Sequence, residues 1–260
     1  MPREPRVPIW LLVLVGVTLG LGALSAGLPA LTSSPLTTGR GEVRVYVDVF
    51  EEMNLPTWWA TTVLVLAATA CALVAAVSGP GRSRRRWTAL AAIVAALSLD
   101  EASALHERLD RLVAGGVDLG RFPFLWLLPG AVVGAVLLAA VVALLWSAPR
   151  PARRWLLAGF GLLLWSALGM ELLQGLLIAE GSSGPGYVLT YHAEEAGETL
   201  GAVGILAGAL RSLAVDRPGP QVLLVRLRTA GRLPVPRPAA EAAPRHRRDG
   251  VHPPAAAPRS

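Results

Sequence analysis

Leu97-Ser98-Leu99-Asp100-Glu101-Ala102-Ser103-Ala104-Leu105-His106-Glu107-Arg108-Leu109 continues an apolar run that opens at Trp87. Without its acids that run is too short to cross a membrane, since a span needs roughly 20 residues. With them it carries charge into the bilayer. There a charged side chain costs roughly 3 kcal/mol on insertion scales and is rarely kept without a partner or a task. Read as a span, the stretch makes the chain a helical bundle with an acidic interior.

Composition supports that reading. Of the 260 residues 53% are hydrophobic, and the mean hydropathy is +0.51. Both suit a polytopic membrane protein better than a soluble domain. The single Cys71 excludes a disulfide framework and a thiolate metal site. The net charge of +6 comes from arginines crowded into short segments between apolar runs and into the C-terminal tail. That is a topology signal, and it does not point to nucleic-acid binding.

Working outward, the expected fold is all-α, a transmembrane bundle of about six spans. The first runs from Pro8 to Leu31. Ala23-Leu24-Ser25-Ala26 would suit signal-peptide cleavage, but the apolar run is long for that, and a retained span is expected. Residues 32–56 form an outer loop, in which Glu42 to Phe50 alternates polar and apolar residues, the period of a surface strand or hairpin. Asn54, Pro56 and Thr57 suit a helix start for the second span, which runs to Val77. Gly79-Pro80-Gly81 ends it, and Arg82, Arg84, Arg85 and Arg86 follow. The third span is expected from Trp87 to Leu112, the fourth from Phe122 to Trp146, the fifth from Trp155 to Ala179 and the sixth from Tyr187 to Leu213. Residues 1–215 thus form the transmembrane domain. Residues 216–260 read as a disordered, basic, Pro/Ala/Arg-rich tail, with Gln221 to Leu227 a segment that could lie on anionic lipid. Arginine asymmetry puts both termini on the cytoplasmic side. Gly16/Gly20, Gly130/Gly134, Gly197/Gly201 and Gly204/Gly208 are pairs that would let helices approach closely.

Depth and facing group the buried polar residues. At 1.5 Å per residue, Asp100 and Glu171 lie roughly 20 and 24 Å above the cytoplasmic ends of their spans, and Glu195 roughly 10–12 Å below the outer face. All three fall in the outer half of a core about 30 Å thick. On a continuous third helix Asp100, Ser103, His106, Glu107 and Asp110 share an arc; on the sixth, Tyr191, Glu194, Glu195 and Glu198 do, with His192 just beyond its edge. One connected site is expected from Asp100, His106, Glu107, Glu171, His192, Glu195 and Glu198. Glu101, Glu194, Tyr191 and Ser103 stand around it, and Glu52 and Asn54 close it from the outer loop. Carboxylates with imidazoles are the ligand set of a divalent metal, with Zn, Mn and Fe as candidates. They are also the ligand types of dimetal carboxylate bundles, although the Glu-x-x-His spacing of those is absent. The alternative is a buried proton-sharing network.

Glu52-x-Asn54-Leu55-Pro56-Thr57-Trp58, Ser98-Leu99-Asp100-Glu101 with His106-Glu107, and Glu194-Glu195 with Glu198 resemble a family of uncharacterised bacterial multi-span membrane proteins. The resemblance covers about residues 45–210 and implies the bacterial inner membrane; it supplies no activity. Membrane ceramidase-like hydrolases differ, because their His-x-x-x-His pair in a late helix is missing here. The functions that remain are a metal-dependent hydrolase acting on a lipid or lipid-linked substrate, a proton- or cation-coupled transporter, and a non-catalytic membrane protein. A haem protein with His106 and His192 as axial ligands is disfavoured by the crowd of carboxylates.

Overall fold

Asn54 starts the helix on which much of the bundle packs. Its Oδ1 accepts the Thr57 backbone N–H at 3.2 Å, and Pro56 occupies the first turn, the arrangement that satisfies and pre-orders a helix N-terminus. The computed structural model describes residues 7–109, 122–219 and 222–227, and Met1–Arg228 forms one unit. Its elements are α1 (Ile9–Leu31), α2 (Glu42–Val47), α3 (Leu55–Val77), α4 (Arg82–Ser103), a 3-10 turn (Glu107–Leu109), α5 (Leu127–Leu145), α6 (Arg150–Trp165), a π turn (Ser166–Met170), α7 (Glu171–Ala179), α8 (Pro185–Arg211), and the strands β1 (Leu213–Gly219) and β2 (Val222–Leu227).

Four helical stretches are long and apolar enough to cross a membrane: Ile9–Leu31, Leu55–Val77, Leu127–Leu145 and the continuous Arg150–Ala179. The expected count of six is therefore larger than composition supports. The other two long helices, α4 and α8, carry the arginine cluster and the acids. α8 packs against α1, α3, α6 and α7 and buries its second half, from Gly197 on, whereas α4 packs against α3 and buries one face, Trp87, Leu90, Val94 and Ser98. Apolar side chains cover the outside, Ile9, Leu12, Val132, Val136 and Leu189 among them, an excess that suits lipid contact and not water. Inside, Val63, Val74, Leu90, Val94, Phe160 and Ile205 are fully buried.

Helices in lipid associate through close packing, which small residues permit. A Cβ added to Gly201 would stand 2.7 Å from the Gly159 carbonyl oxygen, and one on Gly159 would stand 2.6 Å from the Ile205 nitrogen. The α6–α8 crossing is thus made backbone to backbone. Gly16 and Gly20 make no such approach, so only some of the expected pairs act as contacts.

Three expectations are corrected. Glu42 to Val47 is a short helix, not a strand: Arg44 and Val47, one turn apart, both turn inward. Arg44 pairs with Asp48 at 2.7 Å and donates to the Ser25 carbonyl, so an interior ion pair overrides the alternating pattern. The third helix stops at Ser103, well short of Leu112, with Ala104 in the left-handed region at φ 47°. The chain after Arg211 forms an antiparallel hairpin, Leu213 pairing with Leu227 and Val215 with Val225. This crosses the expected boundary at 215/216. Asp110, Leu112 and the tail beyond Leu227 lie outside the described residues.

Candidate active site

The break after Ser103 builds the site. With the helix ended, the chain turns back. The Asp100 carboxylate takes the His106 backbone N–H on Oδ1 at 2.9 Å and the His106 ring Nδ1 on Oδ2 at 2.9 Å. On a continuous helix those residues would merely share an arc; here one carboxylate fixes both the backbone and the ring. A carboxylate on Nδ1 sets an imidazole's orientation and tautomer and leaves Nε2 to act as base or ligand.

The π turn does the same for the helical stretch Arg150–Ala179. Inserting one wide turn at Ser166–Met170 shifts the phase of the helix immediately before Glu171. Such bulges often sit at functional sites. Glu171 is buried and accepts the Trp126 Nε1–H at 2.9 Å. The Trp126 ring also lies 4.6 Å from the His106 ring, centroid to centroid. Gly130 leaves room for that indole, since a Cβ there would stand 2.4 Å from it. Trp126 was not foreseen as a site residue, because a tryptophan at the start of a span reads as an interface anchor.

These groups face a cavity of about 400 Å³ between α3, α4, α5, the α6–α7 helix and α8. Asp100, Glu101, His106, Trp126, Glu171, Glu194 and Glu198 line it, and the rest of its wall is almost wholly apolar. Gln174 donates to the Glu194 carboxylate. Glu198 lies in the field of Glu101, Glu195, Glu194 and Glu171, and Glu101 in that of Glu52, His106 and Asp100. Glu52 also acts on Glu194, so the segment between α2 and α3 brings a further acid into the field of the cluster.

His192 and Glu195 line a different, smaller cavity of about 20 Å³, with Thr18, Trp59 and Thr199. That is room for about one water. Thr199 lines both cavities. The His192 Nδ1–H donates to the Val188 carbonyl at 2.8 Å, and its buried Nε2 has no hydrogen-bond partner among the described residues. The two membrane histidines therefore serve separate spaces.

A family model for a domain of unknown function, DUF8692, matches residues 10–213. The chain belongs to that family. The match runs from the first turn of α1 to the first residue of β1, so both cavities lie within the DUF8692 domain. No curated protein and no solved structure matches the chain.

Other expected site residues do other work. Asn54 is spent on capping α3 and on donating to the Val45 and Asp48 carbonyls at 3.1 and 2.6 Å. Ser103 bonds back to the Leu99 carbonyl in its own helix. Tyr191 packs against Phe50, Tyr187 and His192 at 5.2, 5.7 and 4.5 Å. Glu107 is in the 3-10 turn, and its side chain lies outside what is described. Among the described residues no three His, Cys, Asp or Glu side chains already stand as a metal shell.

Proposed function

We propose that this chain is a multi-span protein of the bacterial inner membrane, and that its acidic cavity carries out a metal-dependent reaction on a lipid or lipid-linked substrate. About six spans are proposed, α4 and α8 crossing with the four apolar stretches, because both turn acids onto a cavity between helices, where a membrane tolerates charge that lipid contact does not. The two arginine-rich turns support one orientation. Arg86 donates to the Ser147 hydroxyl, which brings residues 82–86 and 147–154 to the same end. The positive-inside rule makes that end cytoplasmic and puts both termini there.

The observation that carries the reading is a charge imbalance. Five carboxylates face the main cavity and no arginine lines it among the described residues. Such a cluster is held by a cation or by protons, because isolated buried carboxylates are far too costly. A divalent ion, with Zn, Mn and Fe as candidates, would draw on Glu101, Glu171, Glu194, Glu198 and the oriented imidazole of His106, which line one cavity without standing as a finished shell. When bound, it would polarise a substrate oxygen and lower the pKa of water. A neighbouring carboxylate would accept the proton of the attacking water and return it to the leaving oxygen, so that hydrolysis adds one water across the broken ester bond. The apolar remainder of the wall suits the hydrocarbon part of the substrate.

A second reading has its own support. The carboxylates of Glu101, Glu171, Glu194 and Glu198 crowd one cavity with no arginine among its described lining residues, and such a cluster can be held by shared protons, the machinery of a coupled transporter. Metal analysis of the full chain, purified without chelators, separates the two. Stoichiometric divalent metal, lost in His106→Ala and Glu198→Gln but kept in His192→Ala, supports the enzyme reading. A metal-free wild type, with proton flux into liposomes, supports the transporter.

A further inference from the structure

The helix α5 has space on both of its sides. On one lies the acidic cavity. On the other, between α5 and the α6–α7 helix, lies an apolar groove of about 800 Å³, walled by side chains such as Phe124, Leu128, Leu138, Trp165 and Leu172. Along α5 the groove extends from Leu127 to Leu138, roughly 16 Å at 1.5 Å per residue. The two spaces have three lining residues in common: Gly134, Leu164 and Leu168.

Of the two leucines at the seam, Leu168 is the one seated on both α5 glycines. It belongs to the π turn, and its side chain is seated on the glycine face of α5: a Cβ on Gly134 would stand 2.7 Å from Leu168 Cδ1, and one on Gly130 would stand 3.4 Å from Leu168 Cδ2. Rotation of one leucine about its χ angles is a fast, inexpensive motion. Nothing bulkier than glycine opposes it from α5 at those two positions. The groove is almost wholly apolar, while the acids line the cavity on the far side of the seam.

We propose that the groove holds the hydrocarbon chain of a membrane lipid whose polar head reaches the acidic cavity past Leu168, which acts as a gate between the two. The proposal rests on the reading of the cavity as the site of a lipid-derived substrate. It adds the route of entry and the part of the lipid that is recognised outside the cavity. The occupant is fixed by continuity: an apolar slot that meets an acidic chamber across Gly134, Leu164 and Leu168 matches a molecule with a long tail and a polar head. A peptide or a second helix would bring backbone and side-chain groups that an almost wholly apolar wall would leave unmet.

The test uses the full chain in nanodiscs made with one of two photoreactive phospholipids, carrying a diazirine at the chain terminus or on the head group. The chain probe is expected to label the groove, residues 127–138 and 161–176, severalfold more than the lipid-exposed face of α1 at Leu12 and Val13. The head probe is expected to label residues 97–106. Leu168→Trp should abolish the head label and keep the chain label. Ala135→Trp, which fills the groove from an exposed position, should remove the chain label, and Leu138→Trp is a second variant to the same end. Equal labelling of the groove and α1, or a head label unaffected by Leu168→Trp, would overturn the proposal. Metal content is measured on the same samples. Groove labelling in a metal-free protein would retain the lipid route and reject the metal, whereas metal without preferential labelling would do the reverse.

Discussion

Asp100 holds His106 by two separate bonds, one to its backbone N–H and one to its ring, both 2.9 Å. The second bond orients the imidazole; the first secures the turn that brings it there. Removing the carboxylate therefore does two things. Asp100→Ala is expected to lower stability by about 2 kcal/mol, the scale of a lost charge-assisted bond, and to abolish any activity or metal binding at the cavity. Asp100→Asn retains an acceptor for the backbone N–H and is expected to recover most of the stability but not the site's function. Thermal melts in detergent alongside metal content separate the two effects; identical behaviour of both variants would show that the turn and the ring are not independently held.

Ala104 completes that turn at φ 47°, a conformation that costs a residue with a Cβ about 1 kcal/mol. Ala104→Gly is expected to leave the site intact and to raise the melting temperature or leave it unchanged, the steric gain being partly offset by a more flexible unfolded chain. A marked loss of stability would mean that the Ala104 methyl is needed for packing.

That same turn marks where sequence reading ran out. The groups that matter were visible as charges in apolar runs: Asp100, Glu101, Glu171, Glu194 and Glu198 all face the main cavity. Helix starts with local signals were also legible, as at Asn54 and Pro56, and so was the stop at Gly79-Pro80-Gly81. No glycine or proline announces the end of α4, so Leu97 to Leu109 reads as one helix; the signal is the Asp100 side chain six residues from His106, a tertiary choice made locally. The π turn before Glu171 has no sequence signature and changes the phase on which facing depends. By depth and arc on α8, His192 and Glu195 group with the acids of the main cavity, since neither measure tells which neighbour each side chain meets. The hairpin after Arg211 was hidden by the proline and arginine content of its surroundings.

Close packing at Gly201 gives a sharp contrast with glycines that only look alike. Gly201→Ala would force a Cβ to within 2.7 Å of Gly159 O and Leu163 N, backbone atoms that cannot step aside. A loss of about 2 kcal/mol or more is expected. Gly20→Ala, with nothing within 4 Å, should be neutral or slightly stabilising, since alanine is the better helix former. Comparable losses at both positions would contradict the α6–α8 crossing.

Topology is tested with single cysteines in a Cys71→Ser background. Ser83→Cys and Ser147→Cys, at the end joined by the Arg86–Ser147 bond, should resist a membrane-impermeant thiol reagent added to intact cells. Thr38→Cys and Ser183→Cys should react. The reverse pattern would place the arginine-rich turns outside and reject the proposed orientation. A mixed pattern within either pair would reject the span count.

Asn54 supplies the last contrast, between holding the site up and being part of it. Its side chain accepts from Thr57 and donates to the carbonyls of Val45 and Asp48, so it ties the start of α3 to the end of α2. Asn54→Asp keeps the acceptor that caps the helix but loses both donated bonds and faces two carbonyl oxygens with an anion. Asn54→Ala loses the cap as well, typically about 1 kcal/mol by itself. Both variants are expected to melt earlier than the wild type, and neither should change any metal content measured for the wild type, because Asn54 does not line the cavity. Glu52→Gln should behave in the opposite way: an exposed side chain whose charge acts on Glu101 and Glu194 is expected to alter cation affinity while leaving the melting temperature nearly unchanged. Competition titration of the divalent ion against a chelator, run beside the melts, reads both quantities. A Glu52→Gln variant with wild-type affinity would confine the cluster to the helices and remove the outer loop from the site.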